Sequence, residues 1–207
     1  WNAGSIHSKS HFKLILNENV IFHSKEKKTK IGNFFVICSD KNIDLYSKSY
    51  QGSLKISQNS TCYTLFAPEN EQSQEGEIMG FSFYEQKEIK FFGIRAFRIA
   101  LPKRHPYLPL TKDMNLSKIA QKNVQSDEIQ IFSSKLPELC DGSKLKLTFG
   151  NVHVIPSVKN FILEDGNGNA IFMIYKSSGR MCTMRIAHPI TPLIAFALSI
   201  AVIKSNK

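Results

Sequence analysis

The 207-residue sequence has one Trp and four Cys, and its absences narrow the chemistry before any motif is weighed. Cys38, Cys62, Cys140 and Cys182 stand far apart and form no C-x-x-C. They read as small buried or half-buried hydrophobes in a reducing compartment, not as a disulfide framework. The six histidines, His7, His11, His23, His105, His153 and His188, include no H-E-x-x-H, so no metal site is expected. Walker-type glycine loops, G-x-G-x-x-G and G-x-S-x-G are missing as well. Gly166-Asn167-Gly168 lacks a third glycine and suits a hairpin. No catalytic constellation and no cofactor motif emerges.

A membrane-spanning run is also lacking. The longest uncharged stretch, Ile186 to Ile203, is interrupted by His188, Pro189 and Pro192. Its continuous helical part is about 12 residues, or roughly 18 Å, against a hydrocarbon core of about 30 Å. The opening W-N-A-G-S-I-H-S has neither a basic nor an apolar leader region, so no signal peptide is in view, and the Trp1 start points to a fragment.

What is present begins with charge. Lys and Arg outnumber Asp and Glu by 27 to 17, a formal net charge of +10. A surplus of that size suits an anionic partner: nucleic acid, an acidic membrane surface or a phosphorylated ligand. The second positive feature is Thr191 to Ile203, T-P-L-I-A-F-A-L-S-I-A-V-I. Thr191 is a good N-cap and Pro192 suits the first helical position. Every later residue is apolar except Ser199, and a helix apolar on all sides must be surrounded by apolar material. Lipid being too thick for it, the rest of the chain is the expected wrapping.

That remainder reads as strands. His11–Leu16 alternates with period two; Asn17-Glu18-Asn19 turns into Val20–His23. Ser24 to Lys30 is a basic run, read as a hairpin tip or a phosphate contact. Phe34–Cys38, Tyr50–Ile56, Ser60–Phe66, Ile78–Tyr84, Ile89–Phe92 and Ala96–Leu101 follow, with Pro102 as a stop. A short amphipathic helix is predicted over Asn115–Asn123. Five more strand-like runs cover Ile129–Phe132, Leu145–Phe149, Asn160–Leu163, Ala170–Tyr175 and Cys182–Ile186. Glu164 to Gly168 is a hairpin signal, and Glu164 with Asp165 reads as a solvated turn. About a dozen strands in one sheet tend to close, and a barrel that wide needs an interior filler. The expectation is a single domain, residues 1–207: a mainly β, closed barrel around a central hydrophobic C-terminal α-helix.

Three blocks of residues then resemble the C-terminal domain of Tubby-like proteins. Ser157-Val158-Lys159-Asn160-Phe161, after Leu147-Thr148-Phe149, looks like the family's S-V-K-N-F signature. Pro189-Ile190 through Leu193 and Ala195-Phe196-Ala197 resemble the opening of its closing helix. Tyr84-Glu85, Phe91, Gly93, Arg95 and Pro102 match a Y-E…F-x-G-x-R…P pattern. Ser24–Phe34 and Tyr50 to Lys55 follow the pattern too, so the likeness covers nearly the whole chain.

The resemblance implies a twelve-stranded barrel around its helix and a non-enzymatic module. It implies binding of phosphoinositides, chiefly phosphatidylinositol 4,5-bisphosphate. It also implies a cytoplasmic protein peripheral to the plasma membrane, with a nuclear role in transcription regulation or a membrane-linked adaptor role. The alternative readings are a nucleic-acid-binding transcription regulator using the same basic face and a protein-interaction scaffold that has lost ligand binding; protein cargo is a further partner, and a monomer is expected. For the ligand it implies Asn33 after the basic hairpin, with Lys28 and Lys30 nearby, and the two cationic positions of Y-x-G-K-L-R. Here those two positions hold Ser53 and Lys55. A further family arginine falls at Glu75–Gly76. Weaker or altered lipid selectivity follows, because lysine does not reproduce the bidentate grip of arginine. Lys159 and Asn160 read as structural. Lys25, Lys27, Lys28 and Lys30 form one basic region, and Lys87, Lys90, Arg95, Arg98, Lys103 and Arg104 a second. Folding has to join them if they are to make one face.

Overall fold

The computed structural model describes residues 2–8, 11–29, 32–57, 59–68, 76–84, 96–103, 115–140 and 144–205. The architecture is set by the last helix, α2 (Pro192–Lys204). The Thr191 hydroxyl accepts the Ile194 N–H at 3.3 Å, satisfying one orphan donor, and Pro192 occupies the first turn. From Ile194 to Ile203 every residue is buried. The one polar member, Ser199, donates to the Ala195 carbonyl at 2.8 Å and so carries no unmet polar group into the interior. Lys204 ends the helix where it can reach a counter-ion, with Nζ 2.6 Å from Glu26 Oε2.

The wrapping is one continuous sheet. Its strands are β1 (Asn2–Ser8), β2 (His11–Leu16), β3 (Asn19–Thr29), β4 (Gly32–Cys38), β5 (Tyr50–Ile56), β6 (Cys62–Phe66), β7 (Glu77–Tyr84), β8 (Ala96–Pro102), β9 (Ile129–Ser134), β12 (Phe161–Glu164), β13 (Ala170–Lys176) and β14 (Met181–Ile186). Two short strands, β10 (Glu138–Cys140) and β11 (Lys144–Lys146), pair with each other outside it. Each strand of the sheet is hydrogen-bonded to the next, and β1 pairs with both β2 and β14, so the order returns to its start as a closed barrel. Closure leaves no free edge in the ladder.

Inside, the phenylalanines of the composition find their use. Phe81 stacks on Phe97 at 5.0 Å, Phe97 meets Phe161 edge-on at 4.5 Å, and Phe161 meets Phe172 at 5.2 Å. This belt crosses β7, β8, β12 and β13 and packs in one cluster with the α2 side chains. On the opposite wall Phe22 stacks on Phe196 of the helix at 6.1 Å.

The other helix, α1 (Leu116–Lys122), lies on the outside of the barrel, capped by Asn115 and by Asn123 at φ 56°. It comes so close to β7 that a Cβ on Gly80 would stand 2.0 Å from the Leu116 carbonyl carbon. Glycine is required there by contact rather than by φ.

Several boundaries differ from the sequence reading. The basic run Ser24 to Lys30 is no isolated tip: through Thr29 it is the second half of β3, paired with β4 down to Thr29 opposite Gly32. Strand pairing at that point overrides the polar composition. Leu145–Phe149 is not a barrel strand; only Lys144–Lys146 is extended, and Phe149 instead packs with Ile162 and Tyr175 in a separate cluster. Ser60 turns at φ 56°, so β6 starts at Cys62. Strand β1 has little apolar signal and was not expected. Ile89–Phe92 and Lys30 lie outside the described residues.

Because Phe196 is fully buried at the centre of the packing, Phe196→Ala should cost about 3–5 kcal/mol of stability, read as a lowered urea midpoint by circular dichroism. A loss under about 1 kcal/mol would mean that the helix does not fill the barrel.

Candidate phosphate-binding face

Residues opposite one another in a ladder share a face, so the register says which side chains stand together. Phe35, Leu54 and Leu65 are fully buried in the core, and their neighbours therefore point outward. One outward row runs Lys27, Phe34, Lys55, Thr64 across β3 to β6. The next runs Lys25, Val36, Ser53, Phe66, Glu77 and reaches β7.

Lys55 is exposed on this face. Its ammonium sits 4.0 Å from the centroid of the Phe66 ring, a cation–π contact that holds the side chain flat across the sheet. Ser53, two residues before it, is only 2 % exposed, so a hydroxyl lies at the floor where the family pattern has a long cation. Lys27 stands in the same row, its Nζ 3.9 Å from Asp44 Oδ2.

The residue that sequence reasoning missed is Glu77. It is 3 % exposed, and its carboxylate accepts the Leu116 N–H at 2.6 Å, tying the start of α1 to the barrel. Burial raises its pKa above the usual carboxylate range, while the Leu116 hydrogen bond and the nearby Lys55 charge act to lower it. The available signal was an acidic residue opening an otherwise apolar strand, G-E-I-M-G-F. Glu75, where the sequence suggested an acidic change, lies outside the described residues.

The remaining expected site residues are not all brought to this face. Asn33 is exposed and lies opposite Lys28 in the β3–β4 ladder. It adjoins Phe34, which is opposite Lys55, so by alternation Asn33 and Lys28 belong to the other face of the ribbon. Ser53 and Lys55 are brought together; Asn33 and Lys28 make a second pair at the far end of the hairpin. Of the second basic region, Lys87, Lys90, Arg95 and Arg104 lie outside the described residues, and the two described members, Arg98 and Lys103, are engaged elsewhere. Arg98 stacks over Tyr84 at 3.8 Å on β8, three strands from β5. Lys103 donates to the Ser126 carbonyl at 3.1 Å. Among the described residues no group of three or more His, Cys, Asp or Glu could hold a metal ion.

Asn160 has a structural role. Its amide donates to the Ile155 carbonyl and its oxygen accepts the Lys176 N–H, both at 2.8 Å. These bonds pin the preceding segment over β12 and β13.

The folded state binds the Glu77 proton more tightly than the unfolded chain does, since its pKa is raised from 4.5. That contribution to stability is complete below the unfolded value and is lost as pH rises through the folded one. Glu77→Gln keeps an acceptor for Leu116 without the charge. It should therefore gain stability relative to the parent as pH rises from about 4 to about 7, measured as urea midpoints. Parallel pH curves for the two proteins would refute this.

The chain matches the Tub family model over residues 5–205. It is similar to the protein king tubby of Drosophila sechellia and of Drosophila yakuba, 25% identical over 194 residues, covering 86% of this chain and 42% of each relative. The likeness to king tubby of Drosophila melanogaster is also 25% over 194 residues, covering 41% of that protein. The chain thus spans about two fifths of the length of these relatives. A family match over almost the whole chain, on a β-barrel filled by its own C-terminal helix, makes this protein a divergent member of the Tub family.

Proposed function

We propose that the outward face of β3 to β5 binds the phosphorylated head group of phosphoinositides, of the phosphatidylinositol 4,5-bisphosphate type, and holds the domain at a membrane surface as a non-enzymatic adaptor or tethered regulator. The observation that carries this reading is Lys55. It is an exposed cation fixed over Phe66, in one row with Lys27 and beside the row of Lys25, on a domain of net charge +10. Ordered ammonium groups on a firm sheet meet phosphate oxygens with little loss of side-chain freedom. No helix among the described residues is long and apolar enough to cross a membrane.

The same face argues for altered selectivity. Ser53 supplies a hydroxyl but no charge, Lys55 is a point charge and not a fork, and buried Glu77 sits beside Lys55 to offset part of its field. A head group held mainly by lysines is read more by its total charge than by where its phosphates stand.

Co-sedimentation with vesicles is the test, using phosphatidylinositol 4,5-bisphosphate or phosphatidylserine to supply equal anionic charge in a phosphatidylcholine background. The inositide vesicles should bind more tightly. Lys55→Ala should weaken that binding about fivefold, the loss of roughly 1 kcal/mol for one lysine at an anionic surface. Equal binding to both vesicles, unchanged by Lys55→Ala, would overturn the reading.

A further inference from the structure

The connection between β4 and β5, residues 39–49, folds back over the outward side of β3 and β4. Its base is closed by the Ser39 N–H on the Ser49 carbonyl at 2.9 Å. Its middle is held by Asp44: the carbonyl accepts from Cys38 Sγ at 3.5 Å and from the Ser47 N–H at 3.3 Å. The Asp44 carboxylate accepts the Tyr46 N–H at 3.0 Å and faces Lys27 at 3.9 Å. The Tyr50 N–H closes the exit on the Ser47 carbonyl at 3.0 Å.

Asp44, Ser47 and Ser49 are thus engaged within the fold, whereas the exposed side chains of the loop include two with large apolar surface. Tyr46 is 96% exposed and the adjacent Leu45 39%. An ordered loop gains nothing in the folded protein by presenting an aromatic ring to water. Within the loop Lys41 and Lys48 are balanced by Asp40 and Asp44, and the positive charge is that of Lys25 and Lys55, both exposed on the outward side of the sheet. Lys27 links the two, since its row also holds Lys55 and its ion pair is with Asp44 of the loop.

We propose that Leu45 and Tyr46 form an interfacial anchor that enters the head-group region of an anionic bilayer while the lysines of the sheet face hold its phosphates. The proposal rests on the phosphoinositide reading of the same face. Tyrosine suits the boundary because its ring is apolar and its hydroxyl stays wet. One aliphatic and one aromatic residue beside a cationic sheet face match a lipid surface, which needs no shaped cavity. A protein interface needs about 800 Å² from each partner. The arrangement supplies two signals, charge and insertion, neither of which is sufficient alone for lasting attachment.

The test places the only indole of the chain at the tip, with Trp1→Phe and Tyr46→Trp in one protein, and adds vesicles of phosphatidylcholine, phosphatidylserine and phosphatidylinositol 4,5-bisphosphate. Binding should shift the emission to the blue, and brominated phosphatidylcholine should quench it. In the parent background, Leu45→Ser with Tyr46→Ser should lower vesicle affinity about tenfold while leaving affinity for soluble inositol 1,4,5-trisphosphate unchanged. Vesicle co-sedimentation with an unquenched, unshifted indole would overturn the anchor and leave the head-group reading standing. Failure of the parent protein to bind any anionic vesicle would remove both.

Discussion

One requirement governs this molecule: a helix without a polar side has to be enclosed. Single-layer packing would leave half of α2 in water, and a sheet that closes on itself is the arrangement that covers every side of a rod. The sheet has the matching need, because a ring of this many strands encloses more space than its own side chains fill. Each element is therefore unstable alone and complete in the other's presence. The phenylalanine belt and the self-bonded Ser199 belong to the same solution, since they fill the annulus without bringing an unmet polar group inside.

With the interior spoken for, the exterior is free to differ from place to place. Three additions cover parts of it: α1 over β7 and β8, the segment ending in Asn160 over β12 and β13, and residues 39–49 over the end of β4. On the outward face from β3 to β5, Lys25 and Lys55 stay exposed and Lys27 is half-exposed beside Asp44 of the last of these additions. Glu77 stands at the border, joined to α1 by a hydrogen bond and near enough to Lys55 for the lysine's charge to act on it. The position of the covering helix and the electrostatics of the exposed face are thereby linked through one carboxylate.

How much of this was legible depended on how local the signal was. The central helix could be read from Thr191, Pro192 and the apolar run, because capping and hydrophobicity are written in adjacent residues. The β12–β13 hairpin was legible in Asp165 to Gly168 for the same reason, and its Asp165 does accept the Asn167 and Asn169 N–H groups. The common face of Ser53 and Lys55 follows from a spacing of two in a strand. The separation of Asn33 from Lys55 does not, since it turns on the parity of two strands across a ladder. Strand β1 was silent because its sequence, N-A-G-S-I-H-S, carries little apolar signal, and its pairing with β2 and β14 is a matter of backbone register. Glu77 and the Asp44–Lys27 contact join residues far apart in the chain, and single-sequence patterns carry no such information.

The order of the elements along the polypeptide has a biosynthetic consequence. The filler of the barrel, Pro192–Lys204, follows all twelve staves. As the chain leaves the ribosome, its aromatic inner walls are made long before the segment that covers them. Those walls stay open to chaperones, or to other nascent chains, until Pro192–Lys204 has emerged. A premature stop just upstream of Thr191 would leave every stave in place and yet release a shell with nothing to close around.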